Sequence, residues 1–206
     1  MRDEIRMLPA VALRGITILP GMIAHFDISR ETSIRAVERA MKDGDAIFLV
    51  TQKDSNKDNP ELEDLHSMGV IAEIKKVVNL QNEKSTTAVY FNPIVKLQND
   101  IIRVMVEGRQ RAEVYELVQE QQAYMEARVI VYIEEDEQHL PAQAEEAMVL
   151  SVRETFAKYA SVQGRIGKEV VRQVQEMTDL SKLLDYVGNN LPVSYDKKQK
   201  ILDAIA

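Results

Sequence analysis

The chain has 206 residues, 45% of them apolar, no cysteine, and a net charge of −7. That is enough for one large or two small packed domains. Disulfides, thiolate metal ligands and a cysteine nucleophile are excluded, the apolar runs are too short to span a bilayer, and no secretory signal opens the chain. These features together predict a cytoplasmic protein. The whole negative charge falls in residues 1–140, and residues 141–206 are neutral overall. An acidic first part argues against nucleic acid as a ligand, because phosphate neutralisation needs clustered Lys and Arg.

Residues 7–13 and 23–28 read as short strands around a turn at Pro20-Gly21. Ser29 is a candidate N-cap for a helix carrying Ile34, Val37 and Met41 at helical spacing, with Gly44 as its stop. Residues 46–51 form a buried-strand pattern. Residues 53–66 are polar, acidic and hold Pro60, which predicts a loop with at most one helical turn. From Met68 to about Ile133 the alternation is strand-like: Val70, Ala72 and Ile74; Ile102, Val104 and Val106; Val129, Val131 and Ile133. Several short strands with one early helix predict a partly closed, mostly antiparallel barrel or pair of sheets. Val77-Val78-Asn79-Leu80-Gln81-Asn82 and Ile94-Val95-Lys96-Leu97-Gln98-Asn99 are near copies, which suggests an insertion over residues 83–98 that lengthens a hairpin.

After the acidic run Glu134-Glu135-Asp136-Glu137 the period becomes helical. Pro141 suits a first turn. Met148, Val152, Phe156 and Tyr159 form one stripe, and Val170, Val171, Val174 and Met177 a second. Leu180, Leu183, Leu184 and Val187 form a third, ended by Gly188-Asn189-Asn190. Ser194 can cap a last helix bearing Ile201, Leu202 and Ile205, with no stop signal before Ala206. The expectation is an α+β chain: a β-rich subdomain over 1–138 and a helical bundle over 139–206.

Catalytic chemistry is not legible. His25, His66 and His139 lack ligand spacing, so no metal site is expected. Gly164-Arg165-Ile166-Gly167-Lys168 fails as a phosphate loop, since Val162 and Glu169 stand where a glycine and a Ser or Thr are needed; a turn between helices is the better reading. The acidic run fits a solvated junction better than a cation site. Ser181-Lys182 cannot form a dyad on a helix, where neighbours turn about 100° apart.

Two blocks carry a family resemblance. The first is Leu13-Arg14-Gly15-Ile16-Thr17-Ile18-Leu19-Pro20, continuing through Ser29-Arg30 to Ser33-Ile34. The second is Val106-Glu107-Gly108-Arg109-Gln110-Arg111-Ala112. With Leu191-Pro192 and Lys198-Gln199-Lys200-Ile201-Leu202, they resemble the amino-terminal, substrate-recognition domain of the ATP-dependent protease Lon. Ser29 stands where that family commonly has glycine, and Ala10-Val11-Ala12 where a proline-leucine pair is common. The resemblance implies a PUA-like β subdomain followed by helices, and a non-catalytic role in substrate recognition and hexamer assembly. Its partners would be unfolded or degron-bearing proteins and further copies of itself. ATP and Mg would belong to a downstream module, with no cofactor in this chain. The motif around the Lon nucleophilic serine is absent.

Such a domain can hold an extended segment by backbone pairing and shallow apolar contacts. Met22, Met68 and Met105 are the candidate contacts, with ordinary core packing as the competing reading. Arg14, Pro20, Arg30, Glu107, Gly108 and Arg111 are expected to be structural: the charged ones in buried or half-buried ion pairs, Gly108 at a positive-φ turn. Alternative functions are a stand-alone binding adaptor and, less compatible with the charge, RNA binding.

Overall fold

The computed structural model of the chain describes residues 3–80, 101–118, 123–132 and 141–204. The expected insertion over 83–98, the acidic run at 134–137, His139, Ile205 and the expected boundary between 138 and 139 lie outside those residues. The chain divides into two compact units, residues 2–133 and 134–206.

The first unit holds β1 (Asp3–Leu13), β2 (Ile23–Ile28), α1 (Glu31–Lys42), β3 (Ala46–Thr51), β4 (Met68–Asn79), β5 (Ile102–Val118) and β6 (Glu126–Tyr132). One 3-10 turn, Leu62–Asp64, interrupts the polar loop. The strand order is β2-β5-β4-β3-β1-β6, and β5 also pairs with β6. Five strands therefore close into a barrel, with β2 attached to the outer part of β5. The pairings are antiparallel except β1 with β3, where Ala10 lies opposite Phe48 and Leu13 opposite Thr51.

One strand can serve three neighbours because it is long and bulged. β5 faces β2 with residues 102–107 and β6 with residues 112–118. Its register against β4 slips at Arg109 and at Lys75, and its register against β6 slips at Tyr115. The extra residues Arg109 and Tyr115 bend β5 and increase its twist, which carries it around the corner, while Lys75 is an extra residue of β4. Two apolar clusters fill the unit. One packs α1 (Ile34, Ala36, Val37, Ala40) against β1, β3 and the β2 side of β5. The other, around Phe48, Ile71, Val129 and Val131, fills the β6 side.

One local expectation changes and one holds. Arg30, not Ser29, is the N-cap of α1, with extended backbone and no side-chain cap. α1 stops as read: Gly44 has φ 104° and the Asp45 N–H folds back to the Ala40 carbonyl at 2.8 Å.

The second unit has α2 (Ala142–Gln163), α3 (Lys168–Glu176), α4 (Leu180–Asn190) and α5 (Tyr195–Asp203). Val149, Phe156, Val174 and Leu183 form its centre. The inward stripe of α2 runs through Val149, Val152, Phe156 and Ala160, so Met148 faces outward instead of inward, and on α4 Leu184 is exposed instead of buried. Pro141 sits at the N-cap and not inside the first turn. Gly188 does not end α4 but is buried within it. α5 ends at Asp203 and does not run to Ala206. Gly164 and Gly167 flank the turn between α2 and α3, as the sequence predicts.

Candidate functional site

Four of the six signature residues, Pro20, Gly108, Arg14 and Arg30, lie at two places in the first unit. At the first, the Leu19–Met22 turn lies across β5 at Gly108. The Gly108 N–H donates to the Met22 carbonyl at 2.9 Å, and the Gly21 N–H donates to the Gly108 carbonyl at 2.9 Å. A Cβ on Gly108 would sit 2.3 Å from the Leu19 carbonyl oxygen. Gly108 is thus a close-approach glycine inside a strand, not the positive-φ turn expected of it; that role falls to Gly21, at φ 71°. Pro20 is buried beside Leu19.

At the second place, Arg30 joins three segments. Its guanidinium donates to the Ala12 carbonyl (2.6 Å), to Gln52 Oε1 (3.0 Å) and to the Asp58 carbonyl (3.0 Å). Buried Gln52 in turn donates to the Asp54 and Lys57 carbonyls, so the loop after β3 is strapped to the barrel. Arg30 was expected in an ion pair but is held by neutral oxygens. Burial, and then neighbouring Arg14, lowers its pKa, which the Asp58 charge partly offsets. Arg14 makes the ion pair, with exposed Asp58 at 2.8 Å. Gln52 was not singled out in the sequence, where nothing separates a polar residue at a strand end from a solvated one.

Beside Arg30 is a cavity of about 200 Å³. Arg30, Thr32 and Ser33 from the start of α1 line it, as do Ala10 and Ala12 from β1, Asp58, Asn59 and Pro60 from the loop, and Tyr124 and Met125 ahead of β6.

Glu107 belongs to an exposed ring of ion pairs on the outer face of β4 and β5. Lys75 Nζ lies 2.6 Å from Glu73 and 3.0 Å from Glu107; Arg109 binds Glu107 at 2.9 Å and also Glu73. The two cations are the extra residues at the register slips, and each shares a face with the glutamate two residues before it by ordinary strand alternation. Hydrogen bonds from Lys75 and Arg109 hold the Glu73 carboxyl below its ordinary range, and Glu73 and Glu107 raise Lys75. Nearby, Arg103 clamps Asp27 through Nε (2.7 Å) and Nη2 (2.8 Å), which fixes β2 on β5. Arg111 is half-buried on β5, opposite Val70.

The three methionines do not meet. Met68 is 4% exposed, so it offers no contact surface. Met22 is half-buried against the α1-side core. Met105 is half-buried on β5, opposite His25 of β2. The sequence missed Ile23, 67% exposed on β2. β2 pairs with β5 alone, and no other strand covers its second edge among the described residues. No group of three or more His, Cys, Asp or Glu able to hold a metal occurs among the described residues, and no described helix is long and apolar enough to cross a membrane.

The chain thus pairs a bulged barrel bearing an edge strand with a separate helical unit. Residues 7–206 match the family of the ATP-dependent protease La (LON) substrate-binding domain, and the chain belongs to that family. It is 34% identical over 204 residues to a Lon protease of Lachnoclostridium phytofermentans, covering 99% of this chain. With a Lon protease of Heliobacterium modesticaldum it is 35% identical over 205 residues, covering 100% of this chain. The chain spans 23% of the length of either relative. Its fold is that of the N terminal domain of the Mycobacterium avium complex Lon protease, with a TM-score of 0.69 at 18% identity over 98% of this chain and 91% of that one. The Lon N-terminal domain protein from Xanthomonas campestris aligns with a TM-score of 0.57 at 12% identity, over 97% and 90%.

Proposed function

We propose that this chain captures unfolded or degron-bearing proteins for a Lon-type ATP-dependent serine protease of the cytoplasm, and does not itself cleave them. The observation that carries the reading is the unpaired edge of β2, where exposed Ile23 shares the outward face with half-buried Met105, diagonal to it across the ladder. An extended segment can add to such an edge through its backbone while an apolar side chain settles on this pair. Backbone pairing is indifferent to sequence, which suits a domain that meets many unfolded chains. In a full-length protease the capture would precede an ATP- and Mg-using module, and copies in a homohexamer would raise effective concentration.

The test is fluorescence anisotropy with a reduced, alkylated, permanently unfolded protein. Ile23→Lys is expected to weaken binding about tenfold, equivalent to about 1.4 kcal/mol, with no change in melting temperature. The same preparation should show no peptidase or ATPase activity above background. Unchanged affinity in the variant removes β2 from the binding surface, and failure of the parent chain to bind any unfolded protein removes the function.

A further inference from the structure

The cavity beside Arg30 is unlike the exposed apolar pair on β2. Three features at the start of α1 give it a positive, hydrogen-bond-donating end. The first is Arg30 itself, a half-buried cation whose hydrogen-bond partners are all neutral oxygens. The second is the start of α1. No side chain caps it, and its first intrahelical bond runs from the Ile34 N–H to the Arg30 carbonyl, so the Thr32 and Ser33 N–H groups precede the ladder. Uncapped first-turn amides carry partial positive charge and favour an anion. The third is Ser33, which lines the cavity, is 6% exposed, and has no side-chain hydrogen bond among the described residues. Its hydroxyl is not sealed from solvent, so it is free to donate to whatever occupies the cavity.

The opposite walls are apolar: Ala10, Ala12, Pro60 and Met125, with the Tyr124 ring. The one acid on the lining is Asp58, an exposed side chain that Arg14 already engages. A doubly charged phosphate would meet that carboxylate. A singly charged carboxylate beside an apolar group matches both halves of the lining, and about 200 Å³ admits little more.

We propose that this cavity is a carboxylate subsite that takes a carboxylate of a bound polypeptide, with an adjacent apolar side chain on Pro60, Tyr124 and Met125. The inference rests on the substrate-capture reading and adds a specific recognition element to the sequence-tolerant edge of β2. Carboxylate and apolar residue come together at a polypeptide C-terminus, or where an acidic side chain adjoins a hydrophobic one.

The experiment titrates the 206-residue chain with one fluorescent peptide in three forms: a free acid ending in Leu, its C-terminal amide, and that amide carrying an internal Asp beside the Leu. A free acid that binds about tenfold tighter than the plain amide supports the subsite and assigns the terminal carboxylate; the same gain in the Asp form supports it and assigns a side chain. Thr32→Glu, an acid at an exposed first-turn position where helices tolerate acids well, should abolish the gain by supplying its own carboxylate. Ser33→Asp should do the same from inside the cavity. Equal binding of all three peptides overturns the proposal, as does a gain that survives in a folded Thr32→Glu chain. If the subsite fails while the alkylated unfolded protein still binds the parent chain, the capture reading stands; if that protein does not bind either, both fall.

Discussion

Gly108 shows how one missing methylene group sets the path of two segments. The Leu19 carbonyl occupies the place where a Cβ would be, and two backbone hydrogen bonds hold the Pro20-Gly21 turn in that contact. The clash is with backbone, which cannot rotate away. Gly108→Ala is therefore expected to destabilise the chain by about 3 kcal/mol, at the upper end of overpacking costs. Urea denaturation would read it directly, and a midpoint equal to that of the parent chain would contradict the close approach. The motif around Gly108 was visible in the sequence, but its reason was not. Glycine serves equally at a turn, a bulge or a crossing, and only the neighbour in space separates the three. Arg30 and Arg14 illustrate the same limit. Both were legible as structural cations, yet which takes the carboxylate and which the carbonyls depends on where the loop after β3 comes to rest.

Among the elements, β5 carries the most consequence. Alternation through Ile102, Val104 and Val106 marks it as a strand, and its extra residues Arg109 and Tyr115 make it a corner. The ring forms on one face because residues two apart along a strand share a face, Glu73 with Lys75 on β4 and Glu107 with Arg109 on β5. Glu73 has its folded-state pKa depressed below 4.5 by hydrogen bonds from Lys75 and Arg109. A depressed carboxylate contributes stability above its unfolded pKa, and that contribution is lost as pH falls through the lower folded value. Lys75 works in the opposite sense: its raised pKa contributes below 10.5 and is lost at higher pH. All four side chains are solvent-accessible, so the effect is modest and screened by salt. Glu73→Gln should flatten the fall in stability between about pH 5 and pH 3, the carboxylate range. Denaturation series at those two pH values would test it, and an identical pH slope in parent and variant would show that the ring contributes nothing.

For the whole molecule, the two units have their own cores. A domain with its own buried cluster can fold without its neighbour. Residues 1–138 produced alone are expected to unfold in one cooperative transition with the midpoint of the first unit in the full chain. A non-cooperative melt would mean that the helical residues complete the barrel.

Strand and helix positions, the turn at Pro20, the stop at Gly44 and the helix–turn–helix around Gly164 were readable from periodicity and turn chemistry, because each depends on residues close along the chain. The family, too, was readable from two short blocks. The choice between a barrel and a pair of sheets, the β5–β6 pairing that closes the barrel, the parallel pairing of β1 with β3, the strap through Gln52, the burial of Met68 and the cavity at Arg30 were not. Each arises where segments tens of residues apart come into contact, so the deciding quantity is distance in space, which local pattern does not encode.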